Sequence, residues 1–192
     1  MRTRRILLRA SRRNCSKYIE ALERRLPALE GRRLQVRFLP ALTAGRRKLY
    51  SNRAHGQPVH AASFMRKREI VLEAELQRRP RELARILTHE LFQFAWIRLS
   101  NQARGSWDAL LRSERAAHAR GELGWSSESR KSALTSRKQA AWREYVCESF
   151  CDSAAWLYSG VRRHSEFTLA ERHRRRRAEW FRAAFSTGAI PI

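Results

Sequence analysis

The chain has 192 residues and a mass of 22.6 kDa, which suits one domain burying roughly 70% of its surface on folding. Lysine and arginine number 41 against 18 acids, a net charge of +23 at pH 7, so non-specific attraction to polyanions is expected. No apolar run approaches the ~20 residues that cross a membrane, and 3 cysteines, an odd number, argue against a disulfide framework.

In chain order, residues 1–30 read as a basic N-terminal arm followed by an amphipathic helix. The lead has only Ile6, Leu7 and Leu8 as its apolar core, too short for a secretory signal. The helix is predicted from Ser16 to about Leu29, with Tyr18, Ile19, Leu22 and Leu26 on one side. Arg33–Leu39 alternates basic and apolar residues, as a half-exposed strand does, and Pro40 closes it. His60–Phe64 and Glu69–Leu72 predict two further short strands, joined as a hairpin around Arg66–Arg68.

Pro80 then opens a helix running from Arg81 to about Leu99, without internal Pro or Gly. Leu83, Ile86, Leu87, Leu91, Phe94 and Ile97 form its apolar stripe, and Glu90 interrupts it. A carboxylate in such a stripe needs a partner. The stretch Thr88-His89-Glu90-Leu91-Phe92-Gln93 differs by one residue from His-Glu-x-x-His, in which imidazoles at i and i+4 bind zinc and the Glu serves as general base. Gln93 stands where the second His would be.

Asn101–Arg137 is punctuated by Gly105, Gly121, Gly124 and several serines, with a short helix expected from about Trp107 to Ala119 and Trp125 in a turn. This segment separates two motif helices and is placed to cover a cleft between them. The second of these helices, Trp142–Tyr158, ends at Ser159-Gly160. It carries Glu144, Glu148 and Asp152 at four-residue spacing, three carboxylates among Val146, Phe150, Ala154 and Leu157. Such carboxylates meet either arginines or a metal. Cys147 and Cys151 lie one turn apart on this helix, a spacing awkward for a disulfide and suited to buried thiols or soft metal ligands. Reduced cysteines point to a cytoplasmic setting.

Together the two helices resemble those of the gluzincin metallopeptidases, the thermolysin-like group with a His-Glu-x-x-His helix and a later glutamate helix. The resemblance rests on His89-Glu90 with Gln93, and on Glu148-Ser149-Phe150-Cys151-Asp152, which is similar to the family's Glu-x-x-x-Asp element. It implies an α+β fold, a small zincin-like domain over residues 31–160 in which a short mixed sheet packs on an active-site helix and a downstream glutamate helix. It also implies a zinc cofactor held by His89, Glu148 and the Gln93 position, with Glu90 as catalytic base. Asp152 would orient His89, and Glu144 is a further supporting carboxylate on the same helix. The substrate implied is a peptide or protein, bound as an added strand on a sheet edge. His60, His118 and His164 are candidates for a replacement ligand or a transition-state donor.

Residues 161–192 predict a basic C-terminal helix and tail packed on the same domain. Arg174, Arg175, Arg176 and Arg177 form the densest charge run, and Trp180, Phe181 and Phe185 follow it. They are the candidates for nucleic-acid or other anion binding. Two other functions therefore accompany the peptidase reading: a non-catalytic peptide-binding module, and a basic nucleic-acid-associated protein.

Overall fold

The computed structural model describes residues 8–10, 16–46, 48–52, 56–134, 139–186 and 188–192. The first half holds β1 (Leu8–Ala10), α1 (Ser16–Glu23), β2 (Leu29–Glu30), β3 (Leu34–Leu39), β4 (Leu42–Gly45), β5 (Lys48–Ser51), β6 (Gln57–Pro58), β7 (Ala61–Phe64) and β8 (Glu69–Glu73). After a short 3-10 segment the chain becomes helical, with α2 (Pro80–Trp96), α3 (Asn101–Ala116), α4 (Trp125–Ser132), α5 (Gln139–Tyr158) and α6 (Glu171–Ala184), and it closes with β9 (Ile190–Pro191). The fold class is α+β. Among the described residues no helix is long and apolar enough to cross a membrane.

The main sheet has the order β1-β3-β8-β7; β1, β3 and β8 run parallel and β7 returns antiparallel as the end strand. Alternation in β3 buries Leu34, Val36 and Phe38 and exposes Gln35 and Arg37. The register sets Val36 beside Ile70 and Phe38 beside Leu72, so one face of the sheet is continuous apolar surface. Helix α2 packs on β7 and β8 of that sheet and also meets α5, with Leu83, Leu87 and Leu91 buried in the shared core. From Tyr145 onward helix α5 is largely buried, because α2, α3, α4 and α6 all contact it. Phe150 sits at its centre, with ring centroids 5.8 Å from Phe92, 5.9 Å from Trp107 and 5.0 Å from Phe181. Four helices thus share one aromatic core, and α2 and α5 are held as a fixed pair.

Several sequence expectations are corrected. Helix α1 ends at Glu23 rather than near Leu29, because Pro27 lacks an N–H and drives Leu26 out of helical geometry. Leu29–Glu30 instead pairs in parallel with the C-terminal Ile190–Pro191. Helix α3 begins at Asn101, six residues earlier than expected, capped by Ser100 Oγ, which accepts the Ala103 N–H at 3.1 Å. Trp125 opens a helix rather than sitting in a turn. The arm at residues 1–7 lies outside the described residues.

Arg177 is also corrected. It cannot serve as an anion contact, because it is completely buried. His173, Arg177 and Phe181 recur at four-residue spacing and form the inward face of α6. The Arg177 guanidinium donates Nη2 to Glu114 Oε2 at 2.6 Å and Nη1 to Glu122 Oε2 at 2.7 Å. Tyr145 and Lys131 also donate to Glu122 Oε1, at 2.5 and 3.1 Å. Burial disfavours the Glu122 carboxylate, yet Arg177 and Lys131 beside it hold its pKa below the ordinary value. Arg174 is committed to the Leu169 and Phe167 carbonyls, both at 2.5 Å. Arg175 pairs with Glu171 at the surface, and Arg176 reaches Ser113 Oγ at 3.1 Å.

Candidate metal centre

The α2–α5 contact brings two pieces of sequence together around His89. The imidazole Nδ1 lies 2.7 Å from Asp152 Oδ1, and Nε2 lies 3.2 Å from Glu148 Oε2. The second Asp152 oxygen accepts the Ser127 N–H at 2.8 Å. Burial opposes charge on both groups, but the mutual attraction of ring and carboxylate wins. It raises the His89 pKa well above its usual value and lowers that of Asp152. A carboxylate with both oxygens engaged cannot swing away, so the ring orientation is set.

Gln93, one turn after His89, sends its amide into the same space. Its Nε2 lies 3.4 Å from His89 Nε2 and 3.4 Å from Glu148 Oε1, and its Oε1 accepts from Cys147 Sγ at 3.7 Å. His89, Gln93 and Glu148 therefore converge. Among the described residues no group of three or more His, Cys, Asp or Glu side chains is arranged to hold a metal ion. The convergent set here has two such side chains and an amide. Cys147 and Cys151 are free thiols; Cys151 is fully buried, which pushes its pKa up.

Glu90 faces β7, where Ser63 Oγ donates to its Oε2 at 2.6 Å. Burial raises the Glu90 pKa, with the neighbouring His89 and the Ser63 bond opposing. Ser63 escaped sequence reasoning. The signal for it was strand alternation, which turns Ala61 and Ser63 toward the helix that carries Glu90.

Glu144 does not join the site. It is exposed and pairs with Arg130 Nη1 at 3.3 Å. Each four-residue step advances about 40° around a helix, so the face that enters the core at Asp152 has turned to solvent at Glu144. None of the three candidate histidines reaches His89 as a ligand. His164 pairs with Glu82 at 2.8 Å, exposed His118 ends the turn after α3, and His60 pairs with Glu73 at 2.8 Å on the cleft rim. That cleft is a cavity of about 480 Å³ beside His89, Glu90 and Asp152.

Comparison of the chain with protein-family models, curated proteins and solved structures gives no match.

Proposed function

We propose that this chain is a zinc-dependent, metallopeptidase-type protein on a zincin-like domain, with His89, Glu148 and the Gln93 amide oxygen as metal ligands and Glu90 as general base. The observation that carries this reading is the doubly held His89 ring, with Nδ1 on Asp152 and Nε2 turned to Glu148. A carboxylate behind the distal ring nitrogen is the arrangement that fixes a metal-ligating imidazole. The donor chemistry suits zinc: an imidazole nitrogen, a carboxylate oxygen, and an amide whose oxygen and nitrogen exchange places on a half-turn.

Zinc, when bound, supplies polarisation of a peptide carbonyl and acidification of water. The chain's own groups do the remainder. Asp152 accepts the Nδ1 proton and fixes the ring, while the raised His89 pKa keeps a second proton on Nε2 toward Glu148. That proton must leave before Nε2 can serve as a metal donor. Ser63 holds Glu90 Oε2, which leaves Oε1 to accept the proton of an attacking water and pass it to the leaving amine. The raised pKa of Glu90 brings it nearer the neutral range where both transfers are efficient. An amide is a poorer zinc donor than an imidazole, so affinity is low. The substrate is a peptide or protein met in a reducing, cytoplasmic setting.

Zinc titration by calorimetry, with cleavage of a mixed fluorogenic peptide library, tests the proposal. Wild type binds about one zinc per chain weakly and loses it on dialysis. His89→Ala removes the site, whereas Glu90→Gln keeps zinc and loses cleavage. Equal zinc binding by wild type and His89→Ala defeats the proposal.

A second reading, a peptide-binding module without hydrolysis, is favoured by the amide itself. As placed, Gln93 donates Nε2 to Glu148 and accepts at Oε1 from Cys147, which closes the network without metal.

A further inference from the structure

The cleft beside His89 has a wall that proton transfer and metal ligation do not use. Trp125, the first residue of α4, lines this cavity and is 70% exposed. Its backbone is nevertheless fixed from two sides. The Trp125 N–H donates to Glu166 Oε2 at 2.8 Å, and the Ser127 N–H donates to Asp152 Oδ2 at 2.8 Å. These two amides open the helix behind Gly124, which has no side chain with which to cap it. Gly124 is itself required, because a Cβ there would overlap the Asp152 carboxylate. Glu166 is in turn held by Arg85 Nη1 at 2.8 Å, one turn before His89 on α2. The base of the exposed indole is thus tied to the same two helices that carry the site, and through Asp152 to the carboxylate that orients His89.

An indole held on a fixed backbone offers large apolar area at small entropic cost to a ligand. The charged groups around the cavity already have partners: Arg85 with Glu82 and Glu166, His60 with Glu73, His89 with Asp152, and Glu90, through one oxygen, with Ser63. The apolar part of the lining is Pro58, Val59, Ala61, Ile86 and Trp125, with Ser126 and Glu90 beside it. Beside it, β7 ends its sheet, and among the described residues no strand pairs with its outer edge. An extended peptide laid along that edge would send alternate side chains toward α2 and its cleft.

We propose that Trp125 is the specificity wall of a subsite that accepts a large apolar side chain from an extended peptide bound along β7. This rests on the peptide-cleft reading above, in its catalytic or its non-catalytic form, and does not require metal. The subsite discriminates by shape and apolar area, since Arg85, His60 and His89 are each paired with a carboxylate.

The test uses the full chain, once with chelator and once with zinc, and fluorescein-labelled octapeptides that differ only at one central position. Fluorescence anisotropy reads the binding. Peptides with Phe or Leu at that position bind about tenfold or more tighter than those with Ala, Asp or Lys, the gain expected of one well-buried anchor side chain. Trp125→Ala removes the preference, and Trp125→Phe restores most of it; both replace an exposed side chain, so the fold is retained. Selectivity that persists in Trp125→Ala overturns the inference, and if zinc still binds at His89 the proposed function stands without it. Tighter binding of the Lys peptide, the mark of cation–π contact, also overturns it, as does failure of every peptide to bind. Apolar selectivity lost with Trp125, in a protein that neither holds zinc nor cleaves, supports the inference and removes only the catalytic part of the proposed function.

Discussion

Replacing Gln93 with histidine gives the sharpest account of what the missing ligand costs. The Gln93 amide nitrogen is already 3.4 Å from His89 Nε2 and 3.4 Å from Glu148 Oε1, so an imidazole at the same turn needs no backbone movement to face both. The hydrogen bonds lost are long, and the thiol contact to Oε1 is 3.7 Å. The metal-free variant should therefore lose about 1 kcal/mol or less. With three strong donors it should retain one zinc per chain. At zinc a hundredfold above its dissociation constant, binding to the folded state alone adds about 2.7 kcal/mol. For a chain of 192 residues that corresponds to a rise of about 5–10 °C in Tm. Differential scanning fluorimetry with zinc and with chelator reads the shift, and elemental analysis after dialysis reads the stoichiometry. The variant should show the full shift and the wild type little at the same zinc. An unchanged Tm in the variant, or an equal rise in both proteins, would refute the reasoning that position 93 is the weak donor.

Other outcomes follow from the same geometry. Asp152→Asn should weaken zinc binding about 10–100-fold, the usual cost of losing the partner behind a ligating imidazole, and calorimetry checks it. Arg177→Ala removes the buried cation shared by Glu114 and Glu122 and leaves Glu122 only Lys131, so chemical denaturation should show a loss of about 3–5 kcal/mol. The Glu122 carboxyl has a folded pKa below its ordinary 4.5, so its stabilising contribution is present above that value and fades as pH falls through the folded one. Stability measured from pH 6 to pH 3 should fall most below about pH 4.5, and Glu122→Gln should flatten that limb; an unchanged slope would show that the Arg177 network does not govern it. Binding to random duplex DNA should be detectable at low salt and mostly gone by ~200 mM, without sequence preference. Tight, sequence-selective binding at that salt would favour a nucleic-acid role.

The two motif helices were legible because each places polar residues on a surface that packing must bury. Glu90 in the α2 stripe, and Glu148 and Asp152 among Val146 and Phe150, have no partner within their own helices and so look outward: Glu148 and Asp152 to His89, and Glu90 to Ser63 on β7. The same logic misplaced Glu144, since a face read at four-residue spacing drifts and leaves the cleft within one turn. The small sheet of β4, β5 and β6 gave no alternation to read. Leu42 is the only one of its residues among the buried hydrophobic side chains, and the positive φ at Ala41, Arg46 and Asn52 falls on residues that are not glycine. Helix α4 was hidden for another reason. Its start is fixed by carboxylates from Asp152 and Glu166, far along the chain, and its serine-rich sequence has no local cap. Arg177 was concealed by its own run of arginines, although its spacing from His173 and Phe181 marks the buried face of α6.

The central claim is that His89, Gln93 and Glu148 are one metal site. Crystals grown with zinc and measured on both sides of its absorption edge test this most directly. The account predicts a single anomalous peak about 2.0–2.2 Å from His89 Nε2 and from a Glu148 oxygen, with the Gln93 amide turned to present Oε1 and Asp152 still on Nδ1. Zinc bound elsewhere on the chain, with His89 still bridging Glu148 and Asp152 without metal, would contradict it.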